Sequence, residues 1–185
     1  MKKRIIGLSI VFGLFALSSI ASAQEKYFTK SGAVNFDCST SVEDITAKNA
    51  KGVCVLDTKT GAIELAVLMK AFEFKRALMQ EHFNENYVES DKYPKAIFKG
   101  KVENCPDLTK NGTYDVVITG TMDLHGVTKR MTAKGRIVVN GASVNATTEF
   151  IILLSDYAIE IPSVVKDKIS NKVKISVSLW LAPLK

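Results

Sequence analysis

GTYDVVITGTMDLHGVTKRMTAKGRIVV, residues 112–139, is the stretch whose reading decides the fold. Tyr114, Val116, Ile118, Met122 and Leu124 alternate with Asp115, Thr119, Thr121 and Asp123, the period of a half-buried strand. His125-Gly126 interrupts the run, and alternation resumes through Met131, Ala133, Ile137 and Val139. Two alternating runs about a short break predict a hairpin, with Gly126 at a positive-φ turn position.

The same pattern extends in both directions. Downstream, Asn140-Gly141 is a two-residue hairpin signal, and Val144, Ala146, Phe150, Ile152 and Leu154 share one parity. Ile151 and Leu153 make the end of that run apolar on both faces. After Pro162, residues 163–170 allow only a short helix or turn. Val173, Ile175, Val177, Leu179 and Leu181 then alternate with Lys174, Ser176 and Ser178. Upstream, residues 27–37 and 43–57 alternate weakly, with internal glycines that suggest bulges. Ile63, Leu65, Val67 and Met69 form the next run, followed by Phe72 and Phe74 on the opposite parity. A bulge near Lys70-Ala71 is expected to restore the inner face. From Lys75 the period changes: Leu78 with His82, and Met79 with Phe83, are four apart, as on one face of a short helix. Ala96, Phe98 and Val102 begin a further strand after Tyr93-Pro94.

The expected architecture is therefore all-β: a closed, antiparallel, eight-stranded, lipocalin-like barrel with one short helix between strands 3 and 4. Its interior is either packed by side chains or holds one small ligand. A sandwich is the rival arrangement.

The chain has 185 residues, enough for one domain with a sizeable core. Lys2, Lys3 and Arg4, the apolar run 5–20 and Ala21-Ser22-Ala23 read as a cleaved export leader. The run is short for a membrane span. Residues 1–23 are thus assigned to the leader and 24–185 to the barrel domain, in an exported protein and most simply a periplasmic one. Removing the three leader cations lowers the net charge from +6 to +3, spread without a Lys/Arg block. That argues against nucleic acid and leaves a weak attraction to anionic headgroups, a transient contact with a membrane surface. Oligomeric state is left open, a dimer included.

Cys38, Cys54 and Cys105 are an odd number for an exported protein. In a 27–37/43–57 hairpin Cys38 sits by the turn and Cys54 near the far end, beyond the roughly 7 Å reach of a bridge, and no disulfide is assigned. There is no Cys/His metal spacing, no P-loop and no nucleophile–His–acid motif around His82 or His125. An enzyme is not expected, and no cofactor is required. Methionines and aromatics instead gather on the apolar parities. The expected barrel-interior set is Val67, Met69, Phe72, Phe74, Met79, Phe83, Phe98, Ile118, Met122, Phe150 and Ile152. Core packing is the plain reading of any one of them; together they suit an elongated cavity that binds by area burial.

LMQEHFNENYVESDKYPKAIFKG (78–100), GTMDLHGVTK (120–129) and LSDYAIEIPSVVKDKISNKVKISVSL (154–179) resemble the YceI-like family. These are exported bacterial proteins whose lipocalin-like barrels bind polyisoprenoids or related lipids in an apolar tunnel. The likeness spans nearly the whole mature chain. It implies that Leu78, Met79 and Phe83 lie on a helix packed over the barrel, that His125-Gly126-Val127 forms a hairpin tip, and that Tyr93-Pro94 precedes a strand. The sequence departs from the family pattern at Asn35-Phe36-Asp37-Cys38 and at Asp156-Tyr157-Ala158-Ile159, where glycine often follows the aromatic residue.

The expected function is binding of a long apolar molecule, as carrier or store: a polyisoprenoid, an isoprenoid quinone or a fatty-acyl chain. The alternatives are an enzyme with a site at the barrel mouth, using His82 or His125 with a carboxylate, and a packed interaction module with Trp180 facing outward.

Overall fold

The computed structural model describes residues 26–184; the expected leader lies outside them. The strands are β1 (Lys26–Asp37), β2 (Thr46–Asp57), β3 (Ala62–Leu68), the two-residue β4 (Glu73–Phe74), β5 (Lys95–Glu103), β6 (Gly112–Leu124), β7 (Val127–Asn140), β8 (Ser143–Leu153) and β9 (Lys172–Pro183). Helix α1 (Ala77–His82) stands between β4 and β5. Eight strands close an antiparallel ring in the order β1-β2-β3-β5-β6-β7-β8-β9, with β9 returning to β1. β4 is an addition to the expected eight: it pairs with the start of β2, Phe74 opposite Ala47.

The opening stretch behaves as its alternation demands. β6 and β7 pair without interruption from Gly112↔Val139 to Leu124↔Val127. Both residues of the turn have positive φ, His125 at 54° and Gly126 at 74°. The next turn differs by one position from expectation. Asn140 still pairs with Ser143, so Gly141-Ala142 make the turn and Gly141 takes the positive φ of 58°.

Two irregularities shape the barrel. The parity change before Phe72 is made by a single 3₁₀ turn, Met69–Ala71, rather than by a bulge. The β7–β8 ladder runs only from Asn140↔Ser143 to Gly135↔Thr148. Beyond it, residues 127–134 of β7 and 149–153 of β8 diverge, although each strand stays bonded to its other neighbour.

The lower end is filled. Tyr27, Leu56, Val102, Ile137, Val139, Val144 and Leu181 are buried there, with Leu108 of the β5–β6 loop folded in among them. The upper end carries the long connections: the β1–β2 turn, the insert with α1, the His125 turn and the β8–β9 loop. Trp180 faces outward, as its parity requires.

Candidate functional site

Above the packed floor the barrel encloses a cavity of about 520 Å³. Val67 and Met69 of β3 and its 3₁₀ turn, Phe98 of β5, Ile118 and Met122 of β6, and Phe150 and Ile152 of β8 line its walls. Phe72, Phe74, Met79 and Phe83 line its upper end. All eleven residues of the expected interior set therefore meet around one space. Alternation explains the wall residues, since inward parity on every strand points at the same axis.

The space stays open for a local reason. Gly100 and Gly120 are cross-strand partners on the inner face. A Cβ at either would lie 2.5 or 2.7 Å from the tip of the Phe98 ring. Phe98 therefore lies back across two glycines instead of filling the lumen.

At the upper end four phenylalanines form a cluster. Phe36 contacts Phe72, Phe74 and Phe83 at centroid distances of 5.3, 5.7 and 5.5 Å. Phe74 and Phe83 are 5.0 Å apart. Phe36 joins the lining although the expected set did not include it. Its inward parity with Val34 was visible, but it lies in the weakly alternating first strand. Ile175, Val177 and Leu179 of β9 also line the cavity on a parity the sequence displayed.

Polar groups are few and lie at the edges: Arg136, Thr147 and Thr148 border the cavity near the end of the β7–β8 ladder. Glu43, Arg76, His82 and Lys168 border the opening. Arg76 bonds Glu43, and Lys75 Nζ meets Asp44 Oδ2 at 2.9 Å, which ties α1 to the β1–β2 turn. Leu78 is on the helix at this rim but is 61% exposed, not packed over the barrel. α1 has only six residues and gives way to a wider π-type turn, Phe83–Tyr87, so the inward stripe passes from Met79 to Phe83 and leaves Leu78 outside.

Inside the rim, burial pushes the Cys38 thiol up to about 12, with the Asp37 carboxylate adding to the effect. Burial alone does the same to Cys54. All three cysteines are free thiols. Cys38 sits at the β1–β2 turn opposite Ile45, while Cys54 pairs with Thr29 near the other end of that hairpin.

His82 lies exposed at the rim. His125 does meet a carboxylate: Nε2 lies 2.8 Å from Glu89 Oε2, while Nδ1 faces the Tyr157 carbonyl oxygen at 3.0 Å. The pair joins three upper-end segments and lies off the cavity lining. Among the described residues no cluster of His, Cys, Asp and Glu is arranged to hold a metal.

A family profile described as YceI-like domain matches residues 19–181. The chain belongs to the YceI-like family. No curated relative matches it by sequence. Solved structures share the fold. A polyisoprenoid-binding domain from Saccharophagus degradans implicated in plant cell wall breakdown superposes with a TM-score of 0.76 at 17% identity, over 86% of this chain and 99% of that one. BcnA of Burkholderia cenocepacia gives 0.68 at 15% identity, covering 82% and 96%. A YCEI protein of Campylobacter jejuni gives 0.55 at 13% identity, covering 100% and 99%. The YceI-like barrel is thus the scaffold on which this cavity is built.

Proposed function

We propose that the protein binds one long apolar molecule in the barrel and carries or stores it, without catalysing a reaction. The observation that carries this reading is the cavity of about 520 Å³, lined mostly by aliphatic and aromatic side chains. A pocket of that size and character binds by burying hydrocarbon, and the few polar side chains bordering it offer a place for a head group. The eleven residues of the interior set are its contact surface. A polyisoprenoid is the favoured ligand, since the Saccharophagus degradans relative is a polyisoprenoid-binding domain; a quinone with an isoprenoid tail or a fatty-acyl chain meets the same apolar wall.

Residues 1–23 support export, and the site of action we infer is the periplasm. Three aliphatic side chains, Val42, Leu78 and Val164, stand exposed on upper-end segments next to rim residues, which suits brief contact with a membrane during loading.

The test is native mass spectrometry and lipid extraction of protein purified from an exporting host. Co-purified isoprenoid, quinone or acyl chains are expected. A barrel that is lipid-free and takes up none of these classes in titration overturns the reading.

A further inference from the structure

The barrel wall is open along one seam. β7 and β8 are bonded only up to Gly135↔Thr148, where Thr148 Oγ1 donates to the Lys134 carbonyl at 2.8 Å. Above that point the five β8 residues 149–153 run about 17 Å without β7 beside them. Cavity-lining side chains stand on both lips: Met131 on β7, Phe150 and Ile152 on β8. Outside, Ile151 is 66% exposed. The seam therefore joins the apolar interior to the surface along the barrel's side.

A strap, residues 154–159, crosses the top of the seam and is fastened to the β7 side by two polar links. Lys129 Nζ pairs with Asp156 Oδ1 at 2.7 Å, and His125 Nδ1 meets the Tyr157 carbonyl at 3.0 Å. Both partners of the His125 ring, this carbonyl and the Glu89 carboxylate, are acceptors. Only an imidazolium donates to both; a neutral ring turns one lone pair toward an acceptor. The other groups around the ring are Tyr93, whose ring centre is 4.7 Å away, and Lys92, 3.8 Å from Glu89. Among the described residues, three of the four non-glycine residues with positive φ, Glu89, His125 and Ala158, belong to this junction. Such residues persist where the surroundings hold them, and they gather at elements that switch.

Resting on the reading of the cavity as a lipid site, we propose that the β7–β8 seam is a side entrance for the chain of an amphiphile. The hydrocarbon slides in laterally while the head group stays in water, and the His125-latched strap governs the opening. The His125–Tyr157 and Lys129–Asp156 links hold the strap across the seam, and loss of either frees it.

The test is the rate at which N-hexadecyl dansyl amide, a probe with a bulky head, loads into the delipidated protein. Thr132 and Ile151 are the positions that would face each other if the ladder continued. In Thr132→Cys/Ile151→Cys, the oxidised protein is expected to load about tenfold more slowly than the same protein reduced, with peptide mapping to assign the bridge. His125→Ala, which removes one of the two strap links, is expected to load roughly fivefold faster than the unmodified protein. A bridged seam that loads at the unbridged rate, or a His125→Ala protein that loads at the unmodified rate, overturns the side entrance or its latch respectively. Failure of the reduced and unmodified proteins to take up probe at all overturns the lipid-site reading beneath it.

Discussion

Ala158 holds φ at 53°, a left-handed conformation in which a Cβ crowds the following carbonyl. It follows Tyr157, at the position where the family pattern often has glycine. The strain is roughly 1–2 kcal/mol, and glycine's freedom in the unfolded chain offsets roughly 0.4–1 kcal/mol of any relief. Ala158→Gly is therefore expected to stabilise the protein by about 0.5–1 kcal/mol, read as a higher urea midpoint with unchanged slope. The buried thiols give a pH prediction at the same scale. Cys38 and Cys54 are raised by burial from 9.0 to about 12. A raised folded-state value means that stability is complete below the unfolded value and is lost as pH climbs toward the folded one. The urea midpoint should fall between about pH 9 and about pH 12, and Cys54→Ala should flatten part of that slope. Buried tyrosines contribute with the same sign, since burial also raises Tyr27, Tyr87 and Tyr157.

At the scale of elements, β7 is one strand in sequence and two in its bonding. Residues 135–139 pair with both neighbouring strands, whereas 127–134 pair in register only with β6. Native-state hydrogen exchange should separate them: alternate amides between 127 and 134 exchange early, while those from Gly135 to Val139 are protected together. An evenly protected β7 would mean that the seam is closed in solution. The strands themselves were readable because period-two alternation reports which face of a residue is buried. Alternation does not report which neighbour a strand bonds. Met131 and Ala133, like Phe150 and Ile152, keep inward parity straight through the divergence, so the seam left no mark in the sequence. The shift before Phe72 was detected as a change of parity, but bulge and 3₁₀ turn give the same pattern. His125 could be placed at a hairpin tip and no further, because Glu89 and Tyr157 reach it from segments 36 and 32 residues away. The cavity's lining was legible for the opposite reason. Every strand points one parity at a shared axis; Phe36, in a strand interrupted by glycine and register shifts, and Ile175, Val177 and Leu179 of β9 line the cavity on that parity although the expected set did not name them.

For the molecule as a whole, the question is whether the upper barrel is a container or a core, and two truncations separate these. In a filled interior, Met→Ala or Phe→Ala costs roughly 2–5 kcal/mol through lost transfer energy and a new void. Beside an existing cavity, a side chain has partners on one side only and leaves less behind. Met122 borders the cavity from β6 with Phe98 as its cross-strand partner. Phe72 borders it too, but also packs on Phe36 at 5.3 Å and Phe83 at 5.7 Å. Met122→Ala is therefore expected to cost the delipidated protein about 1 kcal/mol, and Phe72→Ala about 3 kcal/mol because it breaks the aromatic cluster. Both should weaken lipid retention, since each removes wall area that the ligand covers. Urea denaturation of the delipidated variants, alongside titration with a long-chain isoprenoid alcohol, measures the two effects separately. A Met122→Ala protein destabilised by the full core amount, with lipid affinity unchanged, would place Met122 in a packed interior and not on the wall of a container.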